Sequence, residues 1–213
     1  EFVDKLVEAG QKYWQVLPLG PTSYGDSPYQ SFSAFAGNPY FIDLDMLCEE
    51  GLLNVDEVRN IKWCDIDCRV SYERLWDNRY KVLLEAFLKS RHRDLASYKQ
   101  FETDNCYWLE DYALFMACKT HFNNEEWLKW DEDIRFRQPD ALARYKIYLA
   151  DQIDFWKFIQ YKFYEQWSLL KKYANQKGIS IIGDIPIYVA LDSADIWVNP
   201  HLFQLDENRK PVH

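Results

Sequence analysis

Apolar positions along the chain fall into stretches of different period. From Phe2 to Gly10, residues Phe2, Leu6, Val7 and Ala9 are spaced as on one face of a helix, and Gly10 suits its stop. Tyr13 to Leu19 is a short, nearly unbroken apolar run. Its length and its aromatic and β-branched content predict a buried strand closed by Pro18. A segment dense in turn residues follows from Gly20 to Gln30 and extends to Pro39.

A helical regime runs from Asp43 to about Gln138. Ser71 to Leu88 carries Tyr72, Leu75, Trp76, Val82, Leu83, Ala86 and Phe87 near helical spacing. Asn105 to Phe122 reads as a second helix, with Trp108, Leu109, Tyr112, Phe115 and Met116 on one side and Asn105 as its cap. Pro139 to Lys177 forms one long helical pattern, broken once at most. Along it Trp156, Ile159, Phe163, Trp167, Leu170 and Ala174 make a continuous apolar stripe, with Pro139 in the first turn and Gly178 past the last. Ile179 to Ile182 reads as a second buried strand, running into Gly183-Asp184-Ile185-Pro186.

A strand, a helical crossover and another strand imply a parallel α/β sheet. In such sheets polar residues just beyond the strand ends build the ligand site. Two clusters meet that description: Tyr24 to Gln30 after the first strand, and Asp184 to Asp195 around the second.

Composition narrows the class. The 213 residues are 48% hydrophobic and 28% charged, with no apolar run near the roughly 20 residues of a membrane helix. No basic start with a short apolar block suggests a signal peptide. The chain opens mid-pattern at Glu1 without Met, as a piece of a longer protein would. A net charge of −9 disfavours nucleic acid, because an acidic chain repels phosphate backbones. The five cysteines, Cys48, Cys64, Cys68, Cys106 and Cys118, are an odd set that fits a reducing compartment. Cys64 and Cys68 lack a second pair or a His at zinc spacing, so free thiols are the better reading.

The first cluster offers Tyr24, Asp26, Ser27, Tyr29 and Gln30 within seven positions. Aromatic faces with carboxylate, amide and hydroxyl groups are what a sugar needs. The same residues also suit a structural loop in which Asp26 and Ser27 satisfy backbone N–H groups. Asp184 follows an apolar strand, where a carboxylate needs a ligand or a basic partner. Asp192, Ser193 and Asp195 read as caps of a short helix, Ser193 and Asp195 above all. His92, His121, His201 and His213 have no nucleophile beside them in sequence and read as solvated or structural. Trp63, Trp76, Trp108, Trp127 and Trp130 read as core, with Trp76 left open.

Trp14 to Thr22, followed by Tyr24-Gly25-Asp26-Ser27-Pro28-Tyr29-Gln30 and on to Pro39, closely resembles the amylomaltases, the 4-α-glucanotransferases also called disproportionating enzymes. Trp108 to Phe115, Gly183 to Trp197, and Phe203 to Asp206 match too. The resemblance implies an α/β fold: a fragment of a (β/α)8 TIM barrel, about its second and third strands, with a large helical insertion. Residues 1–44 would be barrel strand and substrate loop, 45–138 the insertion, and 139–213 barrel helix, strand and following loop. It implies transfer of α-1,4-glucan segments between maltooligosaccharides in the cytoplasm, by a retaining double displacement through a covalent Asp-glycosyl intermediate. No cofactor or metal is needed, and no nucleic acid or membrane is a partner. The nucleophile and the acid/base residue would lie beyond His213, so none is assigned here and the fragment alone is expected to be inactive. Ser27, Tyr29 and Asp184, with Gln30 and Asp26, match substrate-binding positions. Tyr24 matches one aromatic of a second glucan groove, and Trp76 stands where its partner is usually Tyr. A non-catalytic glucan-binding or assembly module is the alternative. A barrel arc with unpaired edges is also expected to self-associate.

Overall fold

The computed structural model describes residues 1–23, 25, 27–64, 69–185 and 188–212. Of the residues singled out above, Tyr24, Asp26, Cys68 and His213 lie outside this set.

The chain begins with α1 (Phe2–Glu8) and β1 (Tyr13–Gln15), and Gly10 between them takes φ +70, as a stop glycine does. After the turn-rich loop come α2 (Leu44–Glu49), α3 (Val55–Asn60), α4 (Tyr72–Lys89), α5 (Ala96–Asp104), α6 (Cys106–His121) and α7 (Glu132–Arg135). The long helical pattern is two helices, α8 (Pro139–Tyr148) and α9 (Ala150–Gln176), which meet at Leu149. Gly178 takes φ +79 after α9 and hands the chain to β2 (Ser180–Ile182). A short helix, α10 (Ala194–Val198), ends the main body.

β1 and β2 pair in parallel, with Tyr13 opposite Ser180, Trp14 opposite Ile181 and Gln15 opposite Ile182. Every helix from α2 to α9 lies in the crossover between them. Both strands are shorter and more exposed than the apolar runs predict. Tyr13 and Gln15 are exposed, Trp14 is half-buried, and Leu17 is exposed beyond the strand end. The physical reason is that one face of this pair packs and the other does not. Trp14 and Ile181 turn to a small core of Val3, Ala174 and Ile179 under α1 and α9. Ser180 and Ile182 stand on the open side.

The large core is helical. α6 packs on α9, α8, α5 and α10, and its residues from Tyr112 to Lys119 are all buried. The sequence pattern predicts one apolar side. Instead the middle of α6 is enclosed on every side, which accounts for its weak amphipathicity. Asn105 stands at its N-cap position, but its side chain caps nothing. Its Nδ2 donates to the Phe101 carbonyl and its Oδ1 accepts from Trp108 Nε1. Trp108, Trp127 and Trp130 are buried as predicted, Trp63 is half-buried and Trp76 is exposed at the surface of α4. Phe115, Trp130 and Trp197 form a ring cluster with centroids 5.4 to 5.8 Å apart.

The loop after β1 lies along α9. A Cβ on Gly37 would come within 1.9 Å of the Phe163 ring. Gln160 takes both backbone groups of Gly37, accepting from its N–H at 2.7 Å and donating to its carbonyl at 2.9 Å. Gln166 does the same for Asp43, at 2.7 and 3.0 Å. Overpacking at this seam is expected to cost roughly 2–3 kcal/mol in Gly37→Ala, read as a lowered thermal midpoint. A wild-type midpoint would mean that Phe163 yields without strain.

Candidate functional site

The loop after β1 closes on itself before it reaches its tip. Thr22 and Ser31 form an antiparallel bridge, Ser23 N–H donates to the Gln30 carbonyl at 3.0 Å, and Gln30 N–H donates to the Ser27 carbonyl at 3.1 Å. Ser27 to Gln30 is thus a tight turn, and Ser27 Oγ accepts from Tyr29 N–H at 3.3 Å within it. Gly25 takes φ +87, where a β-carbon is strained. Tyr29 stands out of this turn, 46% exposed. Gln30 is exposed as well.

Tyr29 hydroxyl donates to Asp184 Oδ2 at 2.9 Å, across 155 positions of sequence. The contact joins the two clusters that the sequence places after the two strands. Among the described residues no Lys or Arg forms an ion pair with Asp184, so the basic partner weighed for it does not appear there. The carboxylate beside the phenol pushes Tyr29 ionisation above its ordinary value. Asp184 also lines a cleft of about 560 Å³, walled by Gly20, Phe35, Phe163, Tyr164 and Gly183. The pair offers a hydroxyl donor and a carboxylate acceptor at a half-exposed position, beside aromatic walls.

The segment after β2 is held by the helices. Asp192 Oδ2 accepts from Lys119 Nζ at 2.5 Å and its Oδ1 from Trp127 N–H at 3.2 Å. Lys119, whose side chain is only 4% exposed, also donates to the carbonyls of Asn124 and Glu125 and sits 5.2 Å from the centre of the Phe32 ring. Trp127 Nε1 donates to the Leu191 carbonyl at 2.8 Å. Ser193 caps α10 as predicted, accepting from Ile196 N–H. Asp195 does not cap it. Its Oδ2 accepts from Ala34 N–H at 2.9 Å, while Ala194 N–H donates to the Phe32 carbonyl at 2.8 Å. These two bonds staple the second segment to the first loop. Burial pushes the Asp195 carboxyl up, and the Ala34 N–H opposes that shift.

Trp76 is elsewhere. It packs edge-on against Tyr80, with ring centroids 5.0 Å apart, and lines a cavity of about 930 Å³ with Arg91, Asp151 and Trp156. Neither Tyr29 nor Asp184 borders that cavity, and the Tyr24 expected to face Trp76 is outside the described residues. His92 is buried and structural, with Nε2 at 3.0 Å from Asp154 Oδ2. His121 packs on Phe122 in the last turn of α6, and His201 is exposed. Among the described residues no group of His, Cys, Asp and Glu could hold a metal ion, and Cys48, Cys64, Cys106 and Cys118 are free thiols. Sequence reasoning missed Gln160, Gln166 and Lys119. The available signal was a polar side chain inside an otherwise apolar stretch of a core helix.

Fold and site together define an α/β protein with a tyrosine–carboxylate pair beyond the ends of two parallel strands, beside an aromatic-walled cleft. Residues 1–209 match the glycoside hydrolase 77 family model, described as 4-alpha-glucanotransferase, and the chain belongs to that family. It is 51% identical over 207 residues to the 4-alpha-glucanotransferase of Clostridium butyricum, covering 97% of this chain and 42% of that protein. It is 48% identical to the corresponding protein of Streptococcus pneumoniae over 99% of this chain and 42% of the relative. Its structure superposes on the amylomaltase of Streptococcus agalactiae, solved in complex with acarbose, with a TM-score of 0.94 at 47% identity, over 99% of this chain and 43% of that one. The chain therefore spans about two fifths of the length of the curated relatives it matches.

Two measurements follow from the site. Lys119→Met leaves Asp192 without its cation and two carbonyls without a donor. It is expected to cost roughly 1.5–3 kcal/mol in denaturant unfolding, and an unchanged midpoint would dismiss the pair as a stabiliser. In a spectrophotometric titration Tyr29 is expected to ionise above an ordinary tyrosine, and Asp184→Asn to bring it back. The folded-state value is the raised one, so the bond's contribution is whole below the ordinary phenol range and is lost as pH climbs through Tyr29's own ionisation.

Proposed function

We propose that the whole protein is a cytoplasmic 4-alpha-glucanotransferase acting on α-1,4-glucans, and that the residues described here build part of its sugar-binding wall. The observation that carries this reading is the Tyr29–Asp184 hydrogen bond at 2.9 Å. It joins the turn-rich loop to the aspartate after β2, and Asp184 in turn lines the neighbouring aromatic-walled cleft. Family membership supports the reaction, and the acarbose complex of the streptococcal relative supports an oligosaccharide ligand.

In this reading Asp184 accepts from sugar hydroxyls, Tyr29 and Ser27 supply hydroxyls, and Gln30 and Asp26 add an amide and a carboxylate at the rim. Tyr24 and Trp76 belong to a second groove. The two strands are adjacent staves, about the second and third, of a (β/α)8 barrel to which residues 1–44 and 139–213 contribute, with 45–138 inserted between them. The chemistry is a retaining double displacement, in which one carboxylate attacks the anomeric carbon and a second passes the proton. Those two carboxylates lie on later strands of the whole protein. The reaction needs no metal or organic cofactor, because two carboxylates suffice.

Incubated with maltotriose, the 213-residue chain is expected to release no glucose, yet to bind maltoheptaose in isothermal titration. Binding without turnover would by itself fit a glucan-binding module. The decisive arm is therefore the full-length protein. There Asp184→Ala is expected to lower kcat/KM about 100-fold and Tyr29→Phe about tenfold, since both remove groups that orient the sugar. Wild-type rates for Asp184→Ala would remove it from the site. Glucose release by the short chain would overturn the placement of the catalytic carboxylates. Sedimentation of that chain as a stable monomer would count against self-association through its open strand edges.

A further inference from the structure

A second cavity, of about 330 Å³, lies against Trp127 and Trp197 and is walled by Arg135, Arg137, His201 and Arg209. Three separate segments deliver those four basic residues: the turn that ends α7, the turn after α10 and the hairpin near the end of the described chain. No Asp or Glu lines it, in a chain with 34 acidic residues against 25 Lys and Arg. Chance placement in so acidic a protein would favour the opposite charge.

The cluster is held firmly yet left positive. The Arg137 guanidinium carbon sits over Trp197, 4.3 Å from the ring centre, and the side chain pairs with Asp111 at 2.6 Å. Arg135 donates to the Leu128 carbonyl, and Arg209 rests 5.7 Å from the centre of the Phe136 ring. Among the described residues neither Arg135, Arg209 nor His201 has a carboxylate partner. Arg135 Nε and Arg137 Nη1 are buried with no acceptor. Unpaired guanidinium N–H groups behind a wall raise its positive potential, and leaving them so is costly. The aromatic backing does not shift easily, because Trp197 Nε1 donates to the Ile134 carbonyl and Trp127 Nε1 to that of Leu191. Arg137 and Arg209 also take φ values of +54 and +66, unusual for residues with a β-carbon.

We infer that this cavity is a binding site for a phosphate-type oxyanion, either free or carried as a monophosphate on a small sugar. Guanidinium forks suit the several acceptor oxygens of such a group, and the volume admits a hexose monophosphate. The cavity shares no lining residue with the Asp184 cleft.

The test uses the full-length protein, with inorganic phosphate, glucose 1-phosphate, glucose, and sodium chloride at matched ionic strength. Phosphate is expected to raise the thermal midpoint saturably at millimolar concentrations, with chloride and glucose inert. Tighter titration by glucose 1-phosphate than by phosphate would assign the ester, and equal affinity the free ion. Arg209→Gln, on an exposed hairpin, and Arg135→Lys, which keeps the charge but loses the fork, are each expected to weaken binding about tenfold. Transfer activity without phosphate should stay at the wild-type level in both, which checks folding. A phosphate effect no larger than that of chloride, or one that survives both substitutions, would overturn the site.

Discussion

Backbone groups in an irregular loop must still find hydrogen-bond partners, and here the helices supply them. Two strands of three residues each cannot by themselves hold long loops in place. Gln160 and Gln166, two turns apart on α9, each take one loop residue by both its N–H and its carbonyl. Lys119 on α6 takes Asp192, and Asp192 takes the Trp127 backbone. Asp195 then ties the second loop to the first through Ala34. Tyr29 and Asp184, which meet across these segments, flank the parts of both loops that this polar frame holds.

That frame needs a rigid setting, which the aromatic core provides. α6 is enclosed by α5, α8, α9 and α10, so Lys119 leaves an apolar helix at a defined height. Its ammonium is compensated by one carboxylate, two carbonyls and the face of Phe32. A buried charge with that many partners is tolerated, whereas one with fewer would be expelled or neutralised. The same packing brings Phe115, Trp130 and Trp197 together under α10. The helical region is thus the mount for both loops.

Much of this was legible locally. The periodicities of α4 and α9, the Gly10 and Gly178 stops and the Ser193 cap all rest on interactions within a few residues. The strands are shorter than the apolar runs predict, because a run such as Leu17 to Leu19 reads the same whether it pairs or merely lies against a neighbour. Asp195 looked like a cap because its partner, Ala34, is 161 positions away. Gln160 and Lys119 act at separations of 123 and 73, where spacing carries no information. Tyr29 and Asp184 were both picked out by residue type and by position after a strand. Their contact, and the separation of Trp76 from them, needed the fold.

The character of the Tyr29–Asp184 bond also bears on how such a cleft works. It is charge-assisted, which favours it, yet Tyr29 is half-exposed, so water competes and its net contribution to stability is small. At the proposed sugar site, a ligand hydroxyl would offer the same donor to the carboxylate and the same acceptor to the phenol. Exchange therefore replaces one hydrogen bond with another of similar strength and strands neither partner. The backbone of the first loop is fixed by the main-chain bonds of the Ser27–Gln30 turn, the Asp195 staple and the two glutamines. In the proposed site, binding would then require side-chain exchange without loop rearrangement, and little ordering entropy would oppose it. A site built this way would gain affinity from what is already fixed, with its polar pair only weakly bonded until a ligand arrives.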